Sequence, residues 1–273
     1  MTLSVGVDVG GTYTDLAAVG TDGRVVTRKV LSTPMDQSEG VAQAMASLGA
    51  EAGRVTRIAH GTTVVTNLLL ERKGARVVLC ATADAADLLE LRRQERAGLY
   101  DLSLHHPAPL VPAERVVAVR ERIGAAGVQT PLTGEEAARV ANVVATLDPD
   151  IVVVSLLHAY ADDAHEAKLD EALRRRLPWV AVVRSAAVLP EIREYERTAT
   201  AVAEGYARPR VHRYLEHLAA RLNTGGYPAP DVMTSGGGML PASAAASRAA
   251  SLALSGDGRE KIVLVVRGAA PPA

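Results

Sequence analysis

Along this chain the spacing of apolar positions changes rhythm several times, and each rhythm predicts an element. Up to residue 31, short runs of branched residues alternate with turn residues: Leu3–Val9, then 16–20 after a glycine-rich turn, then 24–31 after Thr21-Asp22-Gly23. Runs of that length bounded by Gly and Asp predict three strands joined as a meander. The spacing then lengthens to that of a helix over 38–49, shortens to a strand at 57–59, and becomes helical again over 63–72. A strand over 76–81 and a helix over 84–91 follow. Residues 96–112 hold Pro107, Pro109, Pro112 and the pair His105-His106, and predict a surface excursion. Segment 114–123 resumes as a strand. Thr133 and Glu136 have capping-box spacing and open a helix to 147. The near-continuous apolar run 151–157 predicts a strand covered on both faces. Helix Ala164–Arg176, strand 180–184 and a long helical stretch over 191–222, with Pro209 as a kink point, come next. The chain continues with a strand over 231–234, the tight loop Ser235-Gly236-Gly237-Gly238, and a helical pattern over 241–254.

A meander followed by alternating helices and strands predicts an α/β fold, a mixed sheet with helices on its faces. The pattern places one domain over 1–190 and the start of a second over 191–255, with a divergent tail over 256–273. The 30 Lys+Arg against 31 Asp+Glu leave a net charge of −1, so no basic field exists to hold a nucleic-acid backbone. The opening has no basic segment and Asp8 interrupts its apolar run, so neither a signal peptide nor a membrane anchor is expected there. Cys80 is the only cysteine, which excludes an internal disulfide and fits a cytoplasmic protein. It lies in an apolar strand with no basic neighbour and reads as core.

The candidate chemistry concentrates in Asp8-Val9-Gly10-Gly11-Thr12-Tyr13-Thr14-Asp15, between the first two strands. Polyphosphate binding needs several backbone N–H groups aimed into one concavity and little side-chain bulk where the chain approaches the phosphate. Gly10 and Gly11 supply the approach, and Thr12 and Thr14 can add hydroxyl donors. Asp8 could hold Mg²⁺ through its waters, and Asp15 could do the same or orient a nucleophile. No Gly-Lys-Ser/Thr follows and the next element is a strand, so this is neither a Walker A loop nor a dinucleotide fingerprint. The competing reading is an ordinary hairpin turn.

The turn resembles the first phosphate loop of the sugar kinase and actin superfamily, which implies an actin-like (RNase H-like) mixed sheet. More narrowly, the chain resembles the ATP-dependent hydantoinase and 5-oxoprolinase family, A-type subunit. The narrower resemblance rests on His60-Gly61-Thr62-Thr63-Val64-Val65-Thr66-Asn67, Leu70-Glu71-Arg72-Lys73-Gly74-Ala75 and Leu99-Tyr100-Asp101-Leu102. It continues through Ser155-Leu156-Leu157-His158-Ala159-Tyr160 with His165-Glu166, and then Leu189-Pro190-Glu191-Ile192-Arg193-Glu194-Tyr195-Glu196-Arg197-Thr198. It implies ATP and Mg²⁺ as cofactors, and a small-molecule cyclic amide or imide whose carbonyl is activated by phosphoryl transfer before hydrolysis. It also implies a B-type hydantoinase subunit as partner. Asp8 and Asp15 are then the catalytic carboxylates, Asp8 on the metal, with Gly10, Gly11, Thr12 and Thr14 on phosphate. Related carboxylases act on ketones. A small-molecule kinase of the same superfamily and a non-catalytic nucleotide- or partner-binding fragment are the alternatives.

His60, Gly61, Thr62 and Thr63 stand where a strand hands over to a helix, with Asn67 on the same face as Thr63. Free N–H groups there would suit an anion, and the resemblance implies a substrate-side or phosphate-side wall. A capped helix with a structural His60 is the other reading. His158 and His165, near Asp162, Asp163 and Glu166, read as loop packing rather than metal ligands. The charges from Glu191 to Arg197 read as a solvated helical face, or through the resemblance as a hinge. Ser235-Gly236-Gly237-Gly238 offers backbone contact to a nucleotide. The family pattern fades after Leu254-Ser255-Gly256, where the chain reads Asp257-Gly258-Arg259-Glu260-Lys261. The expectation there is a truncated second domain, which would leave nucleotide incompletely enclosed.

Overall fold

The turn residues place the opening meander. In the computed structural model, which describes residues 2–33, 36–101 and 103–253, β1 (Leu3–Val9), β2 (Tyr13–Gly20) and β3 (Val25–Leu31) are followed by α1 (Gln37–Ala46), β4 (Val55–Thr62) and α2 (Val64–Leu70). Next come β5 (Val77–Thr82), the single turn α3 (Leu88–Leu91), β6 (Val116–Val119), β7 (Arg122–Gly124) and β8 (Gly127–Thr130). Then follow α4 (Gly134–Thr146), β9 (Ile151–Ser155), α5 (Ala164–Arg176), β10 (Ala181–Arg184), α6 (Ser185–Val188) and α7 (Glu194–Thr224). The last described elements are β11 (Asp231–Met233), β12 (Met239–Pro241) and α8 (Ala242–Ala245). Two compact units result. Among the described residues, one gathers the chain up to Lys73 with residues 210–253, and the other is Gly74–Pro209. The boundary expected near residue 190 lies inside this second unit, which ends within α7.

The first unit is built on a mixed sheet in the order β12-β11-β4-β1-β2-β3. β1 pairs antiparallel with β2 and parallel with β4, and β4 pairs parallel with β11. Alternation sends Val5, Val7 and Val9 with Leu16 and Ala18 to one buried face. Val41, Ala44 and Met45 of α1 complete the packing there. Asp36 caps α1, its Oδ1 accepting the Ser38 N–H at 3.1 Å.

The expected mixed sheet with flanking helices is that of the first unit, and the second unit carries a parallel sheet of its own, β10-β9-β5-β6. β5 and β9 are buried along their whole length, as apolar runs covered on both faces require. Val140, Ala141 and Val144 of α4, and Leu169 and Leu173 of α5, pack against Val78, Cys80, Val152 and Val154. Cys80 is core, with its thiol pushed up to about 12 by burial. Three expected elements differ. The strand over 114–123 splits into β6 and β7 at residues 120–121, where the Arg120 N–H turns to Glu136 Oε1 and the Glu121 N–H to the Val119 carbonyl at 3.0 Å, and β7 then pairs with β8. The helix over 84–91 shrinks to a 3₁₀ turn and α3, ended by Arg92 at φ 54°. The helix over 241–254 breaks at Arg248, whose extended φ of −133° separates α8 from a 3₁₀ turn. The tail over 256–273 lies outside the described residues.

The outer edge of β6 is closed by side chains rather than by another strand. Arg139 Nη2 donates to the Ala118 carbonyl at 2.8 Å, and the Arg120 N–H donates to Glu136 Oε1 at 2.9 Å. Exposed strand edges invite pairing with other chains, and this clamp removes two of the open groups. The expected capping box is half formed: Thr133 Oγ1 accepts the Glu136 N–H at 3.1 Å, but the Glu136 carboxylate turns to the arginines. Hydrogen bonds from Arg139 and then Arg120 outweigh burial and hold that carboxyl down to about 2. A depressed carboxyl stabilises the fold above its unfolded value and loses that contribution as pH falls through the folded one. Between about pH 5 and pH 2.5, thermal scans should therefore show a smaller loss of Tm for Glu136→Gln than for the parent chain.

Candidate nucleotide site

Cross-strand register sets a polar row on the sheet face opposite α1. Gly61 of β4, Asp8 of β1, Asp15 of β2 and Lys29 of β3 stand side by side. Asp8 Oδ1 is buried and has no hydrogen-bond partner. Burial, and then the Asp15 charge, push the Asp8 carboxyl above its ordinary range. Asp15 Oδ1 is held by Lys29 Nζ at 2.5 Å, and the same ammonium sits 4.7 Å over the Tyr13 ring. A Cβ at position 61 would lie 2.9 Å from Asp8 Oδ1, so Gly61 leaves the carboxylate its room. An unpartnered buried carboxylate oxygen beside a second carboxylate fits a cation. Among the described residues no group of three or more side chains could enclose a metal. Mg²⁺ does not require one, since it keeps several waters and takes further oxygens from phosphate.

The turn beyond Asp8 is clasped from β3. The Gly10 N–H donates to the Tyr13 carbonyl at 3.0 Å, and the Ser32 N–H donates to the Thr12 carbonyl at 2.9 Å. Ser32 Oγ donates to the Gly10 carbonyl at 2.7 Å and meets Thr14 Oγ1 at 3.2 Å. Among the described residues the Gly11 and Thr12 N–H groups meet no acceptor, and nothing lies within 4 Å of where a Gly11 Cβ would stand. Two free amides and an open approach at a tight turn are what an anion nest requires. Thr14 does not share in it: its side chain is 0% exposed, on the α1 face, and spent on Ser32.

His60 likewise belongs to the core, not to a cleft wall. It is 1% exposed, donates from Nδ1 to the Val7 carbonyl at 3.2 Å, and accepts the Tyr214 hydroxyl at Nε2 at 2.7 Å. Burial pulls its pKa down to about 4, which keeps the ring neutral. Thr62 hydrogen-bonds Tyr214 and accepts the Val64 N–H at 3.2 Å. This buried chain ties the end of β4 and the start of α2 to α7. Thr63 Oγ1 donates to the Val9 carbonyl at 3.2 Å, and Asn67 Nδ2 donates to Thr63 Oγ1 at 3.4 Å.

Asn67, Gly10 and Gly11 reach a cleft of about 650 Å³ on the α1 side of the turn. Ser32, Gln37 and Tyr214 also line it. The structure thus brings Asp8, Asp15 and Gly61 into one row and puts Gly10, Gly11 and Thr12 at the turn beside it. Thr14, His60 and Thr62 support these from within, and Thr63 braces the start of α2 against β1. Lys29, Ser32 and Tyr214 belong to no motif, and sequence reasoning missed all three.

Residues 4–177 match the hydantoinase/oxoprolinase N-terminal region, and residues 197–257 match hydantoinase/oxoprolinase. The chain belongs to the hydantoinase/oxoprolinase family. An uncharacterized protein of Methanocaldococcus jannaschii is 35% identical over 260 residues, covering 92% of this chain and 38% of that protein. Caprolactamase subunit alpha of Pseudomonas jessenii is 31% identical over 266 residues, with 92% and 38% covered. The crystal structure of the ATP-dependent caprolactamase from that organism superposes with a TM-score of 0.83 at 29% identity, over 93% of this chain and 38% of that one. A nucleotide-free structure of acetone carboxylase gives 0.81 at 25% identity, with the same coverage of 93% and 38%. The chain therefore spans well under half the length of these relatives. The shared architecture is that of the actin-like ATPase fold.

Other segments that carry the family resemblance are structural in the second unit. Glu166 Oε1 accepts the Leu156 N–H at 3.0 Å and Ser185 Oγ at 2.6 Å, and Oε2 accepts the Ala186 N–H at 3.1 Å. Burial raises its carboxyl despite these bonds. Arg197 is not on a solvated face: it is 0% exposed, donates to the Leu156 carbonyl at 2.8 Å and Ser185 Oγ at 3.1 Å, and pairs with Glu194. His165 packs as expected, with Nδ1 2.6 Å from Glu121 Oε2 and Nε2 accepting the Leu132 N–H at 3.3 Å. The loop at 235–238 is closed by the Thr234 N–H donating to the Gly238 carbonyl at 2.9 Å. No helix among the described residues is long and apolar enough to cross a membrane.

Proposed function

We propose that the first unit binds Mg·ATP and serves an enzyme that activates the carbonyl of a cyclic amide or imide for hydrolysis. The unpartnered Asp8 Oδ1, kept clear by Gly61 and set beside Asp15, carries the reading. The N–H groups of Gly11 and Thr12 hold the terminal phosphates, and Asp8 and Asp15 hold the hydrated metal. Bound Mg²⁺ would offset phosphate charge. Lys29 fixes Asp15, and the His60–Tyr214 bond fixes the strand end behind the turn.

The chemistry explains why such an enzyme spends a nucleotide. An unstrained amide is a poor electrophile. Moving the γ-phosphoryl group onto its oxygen, with ADP leaving, makes the carbon attackable by water. Ring C–N cleavage and loss of phosphate then follow. The same activation suits a ketone that is to be carboxylated, and the likeness to acetone carboxylase supports that second reading. Phosphate release stimulated by a cyclic amide, rather than by a ketone with bicarbonate, separates the two. A B-type partner subunit is part of the proposal, supported by the relative that is named as a subunit. The site residues lie in a protein with no net basic charge, and a cytoplasmic setting fits its single buried thiol.

Gly11 gives a clean test. With nothing within 4 Å of where its Cβ would stand and no positive φ, Gly11→Val should fold with Tm unchanged within about 1 °C. In calorimetry with Mg²⁺ and a non-hydrolysable ATP analogue, its affinity should drop by about tenfold or more. Equal affinity in the two proteins would remove the turn from the site.

A further inference from the structure

We propose that β3 is a docking edge for a second copy of this chain, and that the two β3 strands pair antiparallel about a two-fold axis at Arg28. The proposal does not depend on the nucleotide reading.

Sheet edges carry unpaired N–H and C=O groups, and proteins keep such edges short, end them with proline or cover them. Three of the four outer strands of the two larger sheets follow that rule. β12 has three residues and ends in Pro241, β10 has four, and β6 is closed by Arg139 and Glu136. β3 is the exception, seven residues long and paired with β2 alone among the described residues. The Gly20 N–H donates to the Arg24 carbonyl and the Ser32 N–H to the Thr12 carbonyl, each at 2.9 Å, so the even-numbered residues face β2. The backbone groups of Val25, Thr27, Lys29 and Leu31 therefore point away from the sheet. Among the described residues their one partner is Arg28 Nη1, which donates to the Thr27 carbonyl at 2.9 Å. That oxygen keeps a second lone pair for an incoming N–H.

The strand is matched to itself. Val25-Val26 and Val30-Leu31 flank the polar centre Thr27-Arg28-Lys29, a pattern that reads the same in both directions. Antiparallel pairing centred on Arg28 is the register that gives all four outward residues an outward partner. Val25 then meets the partner's Leu31, Thr27 meets the partner's Lys29, and each pair exchanges two N–H···O bonds. Val25 and Leu31 are 59% and 67% exposed in the single chain, and in the pair they cover one another on the Asp8 face. On the α1 face Val26 meets the partner's Val30.

The charges near the axis are largely answered from within each copy. Lys29 is held by Asp15 at 2.5 Å and Arg24 by Glu51 at 3.4 Å. Arg28 is the remaining like-charge contact, since it stands opposite the partner's Arg28. Its Nε donates to the Ser47 carbonyl at 3.3 Å, at the C-terminal end of α1, where the helix dipole favours a cation. A single-strand ladder buries less than the ~1,200 Å² of a stable complex. The dimer is therefore reversible, with a dissociation constant of about 100 μM. It joins two six-stranded sheets into one, with both Asp8 rows on the same face.

Sedimentation velocity of the 273-residue chain, from about 5 to 500 μM, should show monomer giving way to dimer. Thr27→Pro removes one outward N–H and no bond within the sheet, and an edge strand accepts proline at such a position. The variant should dimerise at least about tenfold more weakly, with Tm within about 2 °C of the parent. Arg28→Glu tests the register. Mixed with the parent, it sets a carboxylate opposite a guanidinium at the axis, and the mixed dimer should form about tenfold more tightly than either homodimer. Pairing centred on Thr27 or Lys29 would instead set position 28 against the partner's Val26 or the partner's Val30, with no such preference. A parent that stays monomeric to the top of the range would overturn the proposal and leave the edge to a strand of another polypeptide. Thr27→Pro dimerising like the parent would overturn it too, as would mixed dimers no tighter than the homodimers. If Thr27→Pro does not fold, the mixing experiment decides alone.

Discussion

Asp8→Asn is expected to do two opposite things: abolish Mg·nucleotide binding and stabilise the free chain. Asp8 Oδ1 has no partner, and the charge of Asp15, its neighbour across the strands, is of like sign. Without a cation, the ionised carboxylate is therefore a burden on the fold. The folded carboxyl is raised, so the native state holds its proton to higher pH than the unfolded chain does. Stability then declines as pH climbs from the unfolded value through the folded one. Asparagine has no such slope. At neutral pH the variant should melt about 2 °C higher, and the difference should close at about pH 3, where both states of the parent are protonated. With Mg²⁺ and a non-hydrolysable ATP analogue the order should reverse. The parent gains stability by binding, and the variant, weakened about a hundredfold, gains little. Affinity in the parent should itself fall as pH is lowered and Asp8 takes up a proton. Thermal scans over pH, with and without ligand, read all of this in one set of samples. A variant that melts lower than the parent in both conditions would mean that Asp8 is structural.

Arg197→Met should produce the largest loss of stability, about 3–5 kcal/mol in urea unfolding. The guanidinium is fully buried and joins four places: the Leu156 carbonyl at the end of β9, Ser185 at the start of α6, the Glu191 carbonyl, and Glu194 of α7. Ser185 also donates to Glu166, whose carboxyl is already raised by burial. Replacing the cation by an apolar chain of similar length leaves Glu194 without its cation, holding only the His158 N–H, and removes the positive charge that opposes the rise at Glu166. A buried pair broken from one side costs far more than the pair contributes. Arg197→Lys keeps the charge without the fork and should fall between parent and Met variant. A loss under about 1 kcal/mol for Arg197→Met would show that the site behaves as an exposed ion pair.

These residues show which features local sequence reveals. β1 and α5 lie within their expected bounds because each is bracketed by its own punctuation, the Gly10-Gly11 turn and the acidic residues before Ala164. The glycine turn and Asp8 could be found because their chemistry is contiguous. What completes the site is not contiguous. Lys29 meets Asp15 through strand register, and Ser32 meets Gly10 from the far end of β3. Tyr214 reaches His60 across 154 residues of chain, and no spacing rule links them. Thr14 and His60 depart from expectation for a related reason. In a strand, neighbours point to opposite faces, so of Thr14 and Asp15, or His60 and Gly61, only one of each pair can share the Asp8 face. Register assigns that face to Asp15 and Gly61. Arg197 shows the converse: a charge-rich helix start looks solvated until the elements covering it are known.

The most direct measurement is a crystal structure of this chain grown with Mg²⁺ and a non-hydrolysable ATP analogue. The account predicts terminal phosphate oxygens on the Gly11 and Thr12 amides, and a hydrated metal joined to Asp8 directly or through one of its waters. A nucleotide bound elsewhere, with Asp8 still lacking any partner and the turn bare, would contradict it.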